Sequence, residues 1–138
     1  MTRFDSDRVC TIYLVDDDAS VRNSLRRLLT MHESTVRTYA SAESFLLDAG
    51  RVRNGCLLLD ISMPGLTGIE LLKRLRSENW HLPAVLMTSL RVDAPLREKA
   101  AQVGAFSVLE KPIDVDVLLT TISQAVFQQR SKRDTAAG

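Results

Sequence analysis

Five short apolar runs recur along this chain, and each is followed by a stretch with helical spacing. The runs are Thr11-Ile-Tyr-Leu-Val15, Thr35-Val-Arg-Thr-Tyr39, Cys56-Leu-Leu-Leu-Asp60, Ala84-Val-Leu-Met-Thr88 and Ala105-Phe-Ser-Val-Leu109. The first, third and fourth are apolar almost throughout, as strands are when both of their faces are covered. Between the runs, Val21, Leu25, Leu28 and Leu29 share one side of a helix over about residues 20–31, with Arg22, Arg26 and Arg27 interleaved. Ser41 can cap a short helix carrying Phe45, Leu46 and Leu47, closed by Gly50. Thr67 and Glu70 have the spacing of a capping box, ahead of Ile69, Leu71, Leu72 and Leu75. A fourth helix is expected over residues 94–102, stopped by Gly104. Asp114 can cap a fifth, with Val115, Leu118, Leu119, Ile122 and Val126 on one face. Five β-α units in succession call for a parallel sheet covered by helices on both faces, joined by right-handed crossovers.

The 138 residues suit one domain large enough to bury a core. That domain is expected over residues 10–128, with residues 1–9 as a tail. Residues 129–138 lose the apolar period and read as a tail or the start of a linker. A net charge of +1 offers no basic surface for nucleic acid or for an anionic membrane. No apolar run approaches the ~20 residues of a membrane helix, and Met1 to Arg8 lacks the apolar core of a signal peptide. The expected location is the cytoplasm. Cys10 and Cys56 lack metal-site spacing, and His32 and His81 do not complete one, so both cysteines read as small buried apolar residues.

Ligands of an open parallel sheet bind at the carboxyl ends of its strands. There this chain places Asp16, Asp17 and Asp18 after the first strand, Asp60 at the end of the third, Thr88 and Ser89 at the end of the fourth, and Lys111-Pro112 after the fifth. Clustered carboxylates repel unless a cation lies between them, and hard oxygen donors of this kind suit Mg²⁺. A carboxylate so held can attack phosphorus and form an aspartyl phosphate. Lys111 and Thr88 could then stabilise the charge on the phosphoryl oxygens. Each element alone is a common turn or cap; the reading rests on their joint order.

The segments Leu-Val-Asp16-Asp17-Asp18, Leu-Leu-Leu-Asp60-Ile-Ser-Met-Pro-Gly-Leu-Thr-Gly, Val-Leu-Met-Thr88-Ser and Leu-Glu-Lys111-Pro112 together resemble the receiver domain of two-component response regulators. The resemblance covers about residues 10–128 and is greatest to receivers that precede a helix-turn-helix output domain. It implies a flavodoxin-like (βα)5 fold with strand order 2-1-3-4-5 and Asp60 as phosphoacceptor. It implies Mg²⁺ held by Asp17, Asp60 and the Ser62 backbone carbonyl, with Asp16 acting through a water. Lys111 would pair with the phosphoryl group, Thr88 would hydrogen-bond it and report its presence, and the Lys111–Pro112 bond would be cis. The phosphodonor would be a histidine kinase or a phosphotransfer protein. The face built by the fourth helix, fifth strand and fifth helix, about residues 93–125, would carry the signal and form a phosphorylation-dependent homodimer. The output would be control of a partner or of an attached, transcriptional domain. The chain would be a signalling module, not an enzyme beyond its own dephosphorylation, with no direct contact to nucleic acid or membrane.

One departure concerns the switch. Receivers usually carry Tyr or Phe three residues before the lysine, where this chain has Val108. The nearest aromatic is Phe106, expected on the same strand face and ~6.6 Å further down. Leu90, two residues after Thr88, reads either as apolar bulk that hinders the water removing the phosphate or as plain surface packing. Two other functions use related chemistry. A haloacid-dehalogenase-like, Mg-dependent phosphatase needs an acid two residues after its nucleophile, where this chain has Ser62. A flavin protein of this topology needs a phosphate-binding loop after the first strand, where three aspartates would repel the ligand.

Overall fold

The computed structural model describes residues 11–32, 34–52 and 54–137, with side chains in the last helix described as far as Gln129. Elements alternate strictly: β1 (Thr11–Val15), α1 (Ala19–Met31), β2 (Thr35–Tyr39), α2 (Ala42–Ala49), β3 (Cys56–Asp60), α3 (Gly68–Ser77), β4 (Ala84–Thr88), α4 (Ala94–Gln102), β5 (Ser107–Glu110) and α5 (Val115–Ala137). The five strands form one sheet of order β2-β1-β3-β4-β5, with every neighbouring pair parallel. This is the flavodoxin-like topology, and its order reverses between β1 and β3, where the acidic strand ends meet.

Period-two alternation sorts the core into two layers. Tyr13, Val15, Leu57, Leu59, Ala84 and Leu86 pack with α2, α3 and Ala100 of α4. Ile12, Leu14, Leu58, Val85 and Met87 pack with Leu25 and Leu29 of α1 and Leu118, Ile122 and Ala125 of α5. Burial on both faces explains why β1, β3 and β4 read as unbroken apolar runs. Phe45 anchors the first layer, fully buried and edge-on to Tyr13, Tyr39 and Trp80 at ring-centre distances of 6.1, 5.2 and 5.8 Å. Leu47 of the same helix faces solvent.

Helix starts follow the capping chemistry read from the sequence. Thr67 and Glu70 exchange both bonds of a capping box, Ser41 pairs likewise with Ser44, and Asp114 accepts the N–H groups of Asp116 and Val117. Other boundaries differ from expectation. α5 runs on to Ala137, beyond the last apolar position, because Gln128, Gln129, Arg130, Lys132 and Arg133 are sound helix formers even without an apolar stripe. β5 begins at Ser107 instead of Ala105. Gly104 turns at φ +84° and the chain bends again at Phe106, so strand alternation starts late. Phe106 therefore packs with Leu109 and Ile113 against the α1/α5 layer, while Val108 packs in the α3/α4 layer. The expectation that both share a face is corrected by that bend.

Cys56 is buried at the start of β3. Cys10 lies outside the described residues, and with it the relation between the two cysteines. Among the described residues no helix is long and apolar enough to cross a membrane.

Candidate functional site

Four strand ends and the loops that follow them meet at the carboxyl rim of β1, β3, β4 and β5. Asp60 closes β3, with β1 on one side and β4 on the other. Gly68 brings α3 against it: the Gly68 N–H donates to the Ile61 carbonyl at 3.0 Å, and a Cβ there would lie 2.3 Å from the Asp60 carbonyl oxygen. Only glycine permits that approach.

The carboxylates of Asp16, Asp17 and Asp60 each offer an oxygen within 4.8 Å of the other two. Asp16 and Asp60 are buried and Asp17 is exposed. Asp18 stands outside this group and caps α1, accepting the N–H groups of Ser20 and Val21 at 2.8 and 3.3 Å. Lys111 reaches in from the fifth strand end. Its Nζ donates to Asp16 Oδ2 at 2.8 Å and lies 3.5 Å from Asp60 Oδ1. Asp16 Oδ1 accepts the Asp18 N–H, and Asp60 Oδ1 accepts the Ser62 N–H at 3.2 Å. The Lys111–Pro112 peptide is cis.

The electrostatics follow from this crowding. Burial, then the charge of Asp16, push the Asp60 carboxyl up to about 6, against the opposing pull of Lys111 and the Ser62 N–H. Partial burial pulls the Lys111 ammonium down, but its bond to Asp16 and the charges of Asp16 and Asp60 outweigh that and raise it. Among the described residues, the Lys111 ammonium is the cation paired with these carboxylates.

Thr88 is fully buried at the end of β4, and its Oγ1 accepts the Leu90 N–H at 2.9 Å. Its carbonyl accepts the Lys111 N–H at 2.7 Å. Val108 is half-buried and packs against the apolar layer that includes Ala100 and Val103. Leu90 is largely exposed.

Three residues near the rim carry no signal in the sequence pattern. Arg22 Nη1 donates to the Asp16 carbonyl at 2.6 Å. Glu43 of α2 accepts the Leu66 N–H at 3.3 Å and so tethers the loop after Asp60. Glu110 accepts the Val92 N–H at 3.1 Å and tethers the loop after Thr88. Each contact is set by tertiary placement, and surface arginine and glutamate are ordinary in any helix or strand end.

Comparison with known proteins agrees with the rim. The family model of the response regulator receiver domain matches residues 12–123. The transcriptional regulatory protein FixJ of Rhizobium meliloti is 38% identical over 115 residues, covering 83% of this chain and 56% of that protein. The transcriptional regulatory protein TdiR of Thauera aromatica is 35% identical over 124 residues, covering 90% and 54%. The chain thus spans about half the length of these relatives. Among solved structures, the crystal structure of FixJ-N superposes with a TM-score of 0.78 at 38% identity, covering 85% of this chain and 93% of that one. Full-length FixJ from B. japonicum superposes at 0.83 with 38% identity, covering 93% and 63%. The phosphatase alternative gains no support from these matches. By sequence, topology and the acids gathered at its strand ends, this chain belongs to the response regulator receiver domain family and serves two-component signalling.

Proposed function

We propose that Asp60 accepts a phosphoryl group from a histidine kinase or phosphotransfer protein, and that the group's arrival is passed to the α4-β5-α5 face. The observation that carries this reading is the buried Asp60 carboxylate set between an acidic cluster and the Lys111 ammonium. In the transfer, an Asp60 oxygen attacks phosphorus as the bond from phosphorus to the donor's imidazole nitrogen breaks, and that nitrogen takes a proton from solvent. Lys111 shifts from Asp16 towards the incoming oxygens, and Thr88 donates its hydroxyl proton to one of them.

Mg²⁺ fits the donor set. Three carboxylates lie within ligand reach of one another, their oxygens are hard donors, and the Asp60 carboxyl is raised by burial and then by the charge of Asp16, both of which a cation would offset. Asp17, Asp60 and the Ser62 carbonyl would hold it, with Asp16 acting through a water. When bound, the ion supplies charge that offsets the phosphoryl oxygens.

Turnover is limited to the domain's own dephosphorylation, in the cytoplasm. In the whole protein, output is control of a partner or of a transcriptional domain; the curated relatives named transcriptional regulators support this, each being about twice this chain's matched length. Mass measurement after acetyl phosphate and Mg²⁺ tests the acceptor. Wild type is expected to gain one phosphoryl group and Asp60→Asn none, since the amide is a near-isostere but a poor nucleophile. A variant modified at the wild-type rate would refute the assignment.

A further inference from the structure

We propose that the Glu110 carboxylate latches the β4–α4 loop, residues 89–93, in the unphosphorylated protein, and that its release is part of the switch. This deepens the receiver reading above and rests on it. Thr88 and Glu110 are register partners at the ends of β4 and β5. Each holds an N–H of the same loop. Thr88 Oγ1 accepts from Leu90 at 2.9 Å, and Glu110 Oε1 accepts from Val92 at 3.1 Å. One residue further, Asp93 caps α4 through the Leu96 N–H at 2.9 Å. The loop is therefore pinned at alternate residues by two side chains standing next to each other in the sheet.

Glu110 is also the immediate neighbour of Lys111, whose N–H binds the Thr88 carbonyl at 2.7 Å. It is thus the register partner of one group that would touch the phosphoryl oxygens and the chain neighbour of the other. A Thr88 hydroxyl drawn towards those oxygens pulls Leu90 with it. Val92 lies two residues on and must either part from Glu110 or drag the end of β5. The bond to Glu110 accordingly favours the starting position of the loop, and a ligand must overcome it to favour the other. Val108, two residues earlier on the same face of β5, has no ring to exchange between two packed positions. The latch gives this receiver a discrete two-position contact in its place.

The test measures amide hydrogen exchange at Val92 without phosphodonor, and the affinity for beryllofluoride with Mg²⁺, in wild type, Glu110→Ala and Glu110→Gln. Alanine is expected to speed Val92 exchange and to tighten beryllofluoride binding by roughly three- to tenfold, the effect of removing one exposed charge-assisted hydrogen bond from the resting state. Glutamine keeps an acceptor oxygen at the same place but loses the charge assistance, and is expected to speed exchange and tighten binding less than alanine does. A residue that served stability alone would not tighten ligand binding when removed. Unchanged or weaker affinity in Glu110→Ala overturns the latch, as does a glutamine variant indistinguishable from alanine. The two readings fail differently. Wild type that takes neither beryllofluoride nor a phosphoryl group brings down the receiver reading and the switch with it. Wild type that takes both, with Glu110→Ala equal to it, brings down the latch alone.

Discussion

Asp60 is costly to the ligand-free fold. Its folded value of about 6 lies above the ordinary 3.8, so the folded chain holds the proton more tightly than the unfolded chain does. That preference contributes stability in full below about pH 4 and is lost as the pH rises through 6. Above that, the ionised group in its crowded site costs roughly 1–3 kcal/mol. In Mg²⁺-free buffer, Asp60→Asn is expected to gain that much stability at pH 8 and little at pH 4. Denaturant titrations at both pH values check it; an equal gain at both would trace the effect to something other than ionisation. Arg76 has the opposite role. Its guanidinium donates to the carbonyls of Trp80, Leu82 and Gly104 at 2.9, 2.8 and 2.8 Å and lies 6.0 Å from the Trp80 ring centre, tying the end of α3 to β4 and to the turn before β5. Arg76→Met strips three carbonyls of their donor and is expected to cost about 1–3 kcal/mol. Arg76→Lys should recover only part, because one ammonium lacks the fork that spans them. A methionine variant within 0.5 kcal/mol of wild type, about the scatter of neutral surface changes, would contradict this account.

Among the elements, β5 and α4 are where the proposed signal would leave the site. Val108 faces a groove of about 330 Å³ lined by Arg97, Ala100, Ala101, Ala105, Phe106 and Ser107. The small side chains of Ala100 and Ala105 leave room there for a larger residue. Val108→Tyr is therefore expected to fold, at a cost no greater than the roughly 1–3 kcal/mol of adding bulk to a packed site. Structures with and without beryllofluoride should show a larger α4-β5 rearrangement in the tyrosine variant than in wild type, because a ring adds a second group with two packed positions. Equal rearrangements would mean that valine costs the switch nothing. At the other loop, the capping box of Thr67 and Glu70 and the Glu43 tether fix the start of α3, so the backbone after Asp60 is held at its α3 end.

At the scale of the molecule, the parallel sheet places the acids on one rim and leaves the α4-β5-α5 face beside Thr88 and Lys111. That face carries charged Arg97, Glu98 and Lys99, half-buried Val103, Phe106 and Val108, and exposed Val117. A domain of this kind that passes its signal to a second copy should associate through it. Sedimentation velocity is expected to show a shift from monomer towards dimer when beryllofluoride and Mg²⁺ are added. A monomer under both conditions would make heterologous partners the only output of this face.

The β-α alternation, the strand ends and the helix caps were legible in the sequence because they are local: periodicity, a hydroxyl three residues before a glutamate, an aspartate at a helix start. The gathering of Asp16, Asp17, Asp60 and Lys111 was legible for a related reason, since parallel strands with right-handed crossovers must deliver all their carboxyl ends to one rim. The division of labour among the acids came from the family resemblance, which gave Asp16 and Asp17 to the site, and not from local pattern. Asp17 and Asp18 are adjacent and chemically identical, yet one joins the cluster and the other caps a helix, and the backbone path after β1 separates them. The face taken by Phe106 turned on a bend that alternation does not register, and the polar end of α5 on propensity without an apolar stripe. Glu43, Arg76 and Glu110 meet partners 23, 28 and 18 residues away. Such contacts depend on strand register and loop course, which no local pattern encodes, and so tertiary structure alone decided that Glu43 and Glu110 hold the loops of the site and Arg76 the turns at the opposite end of the sheet.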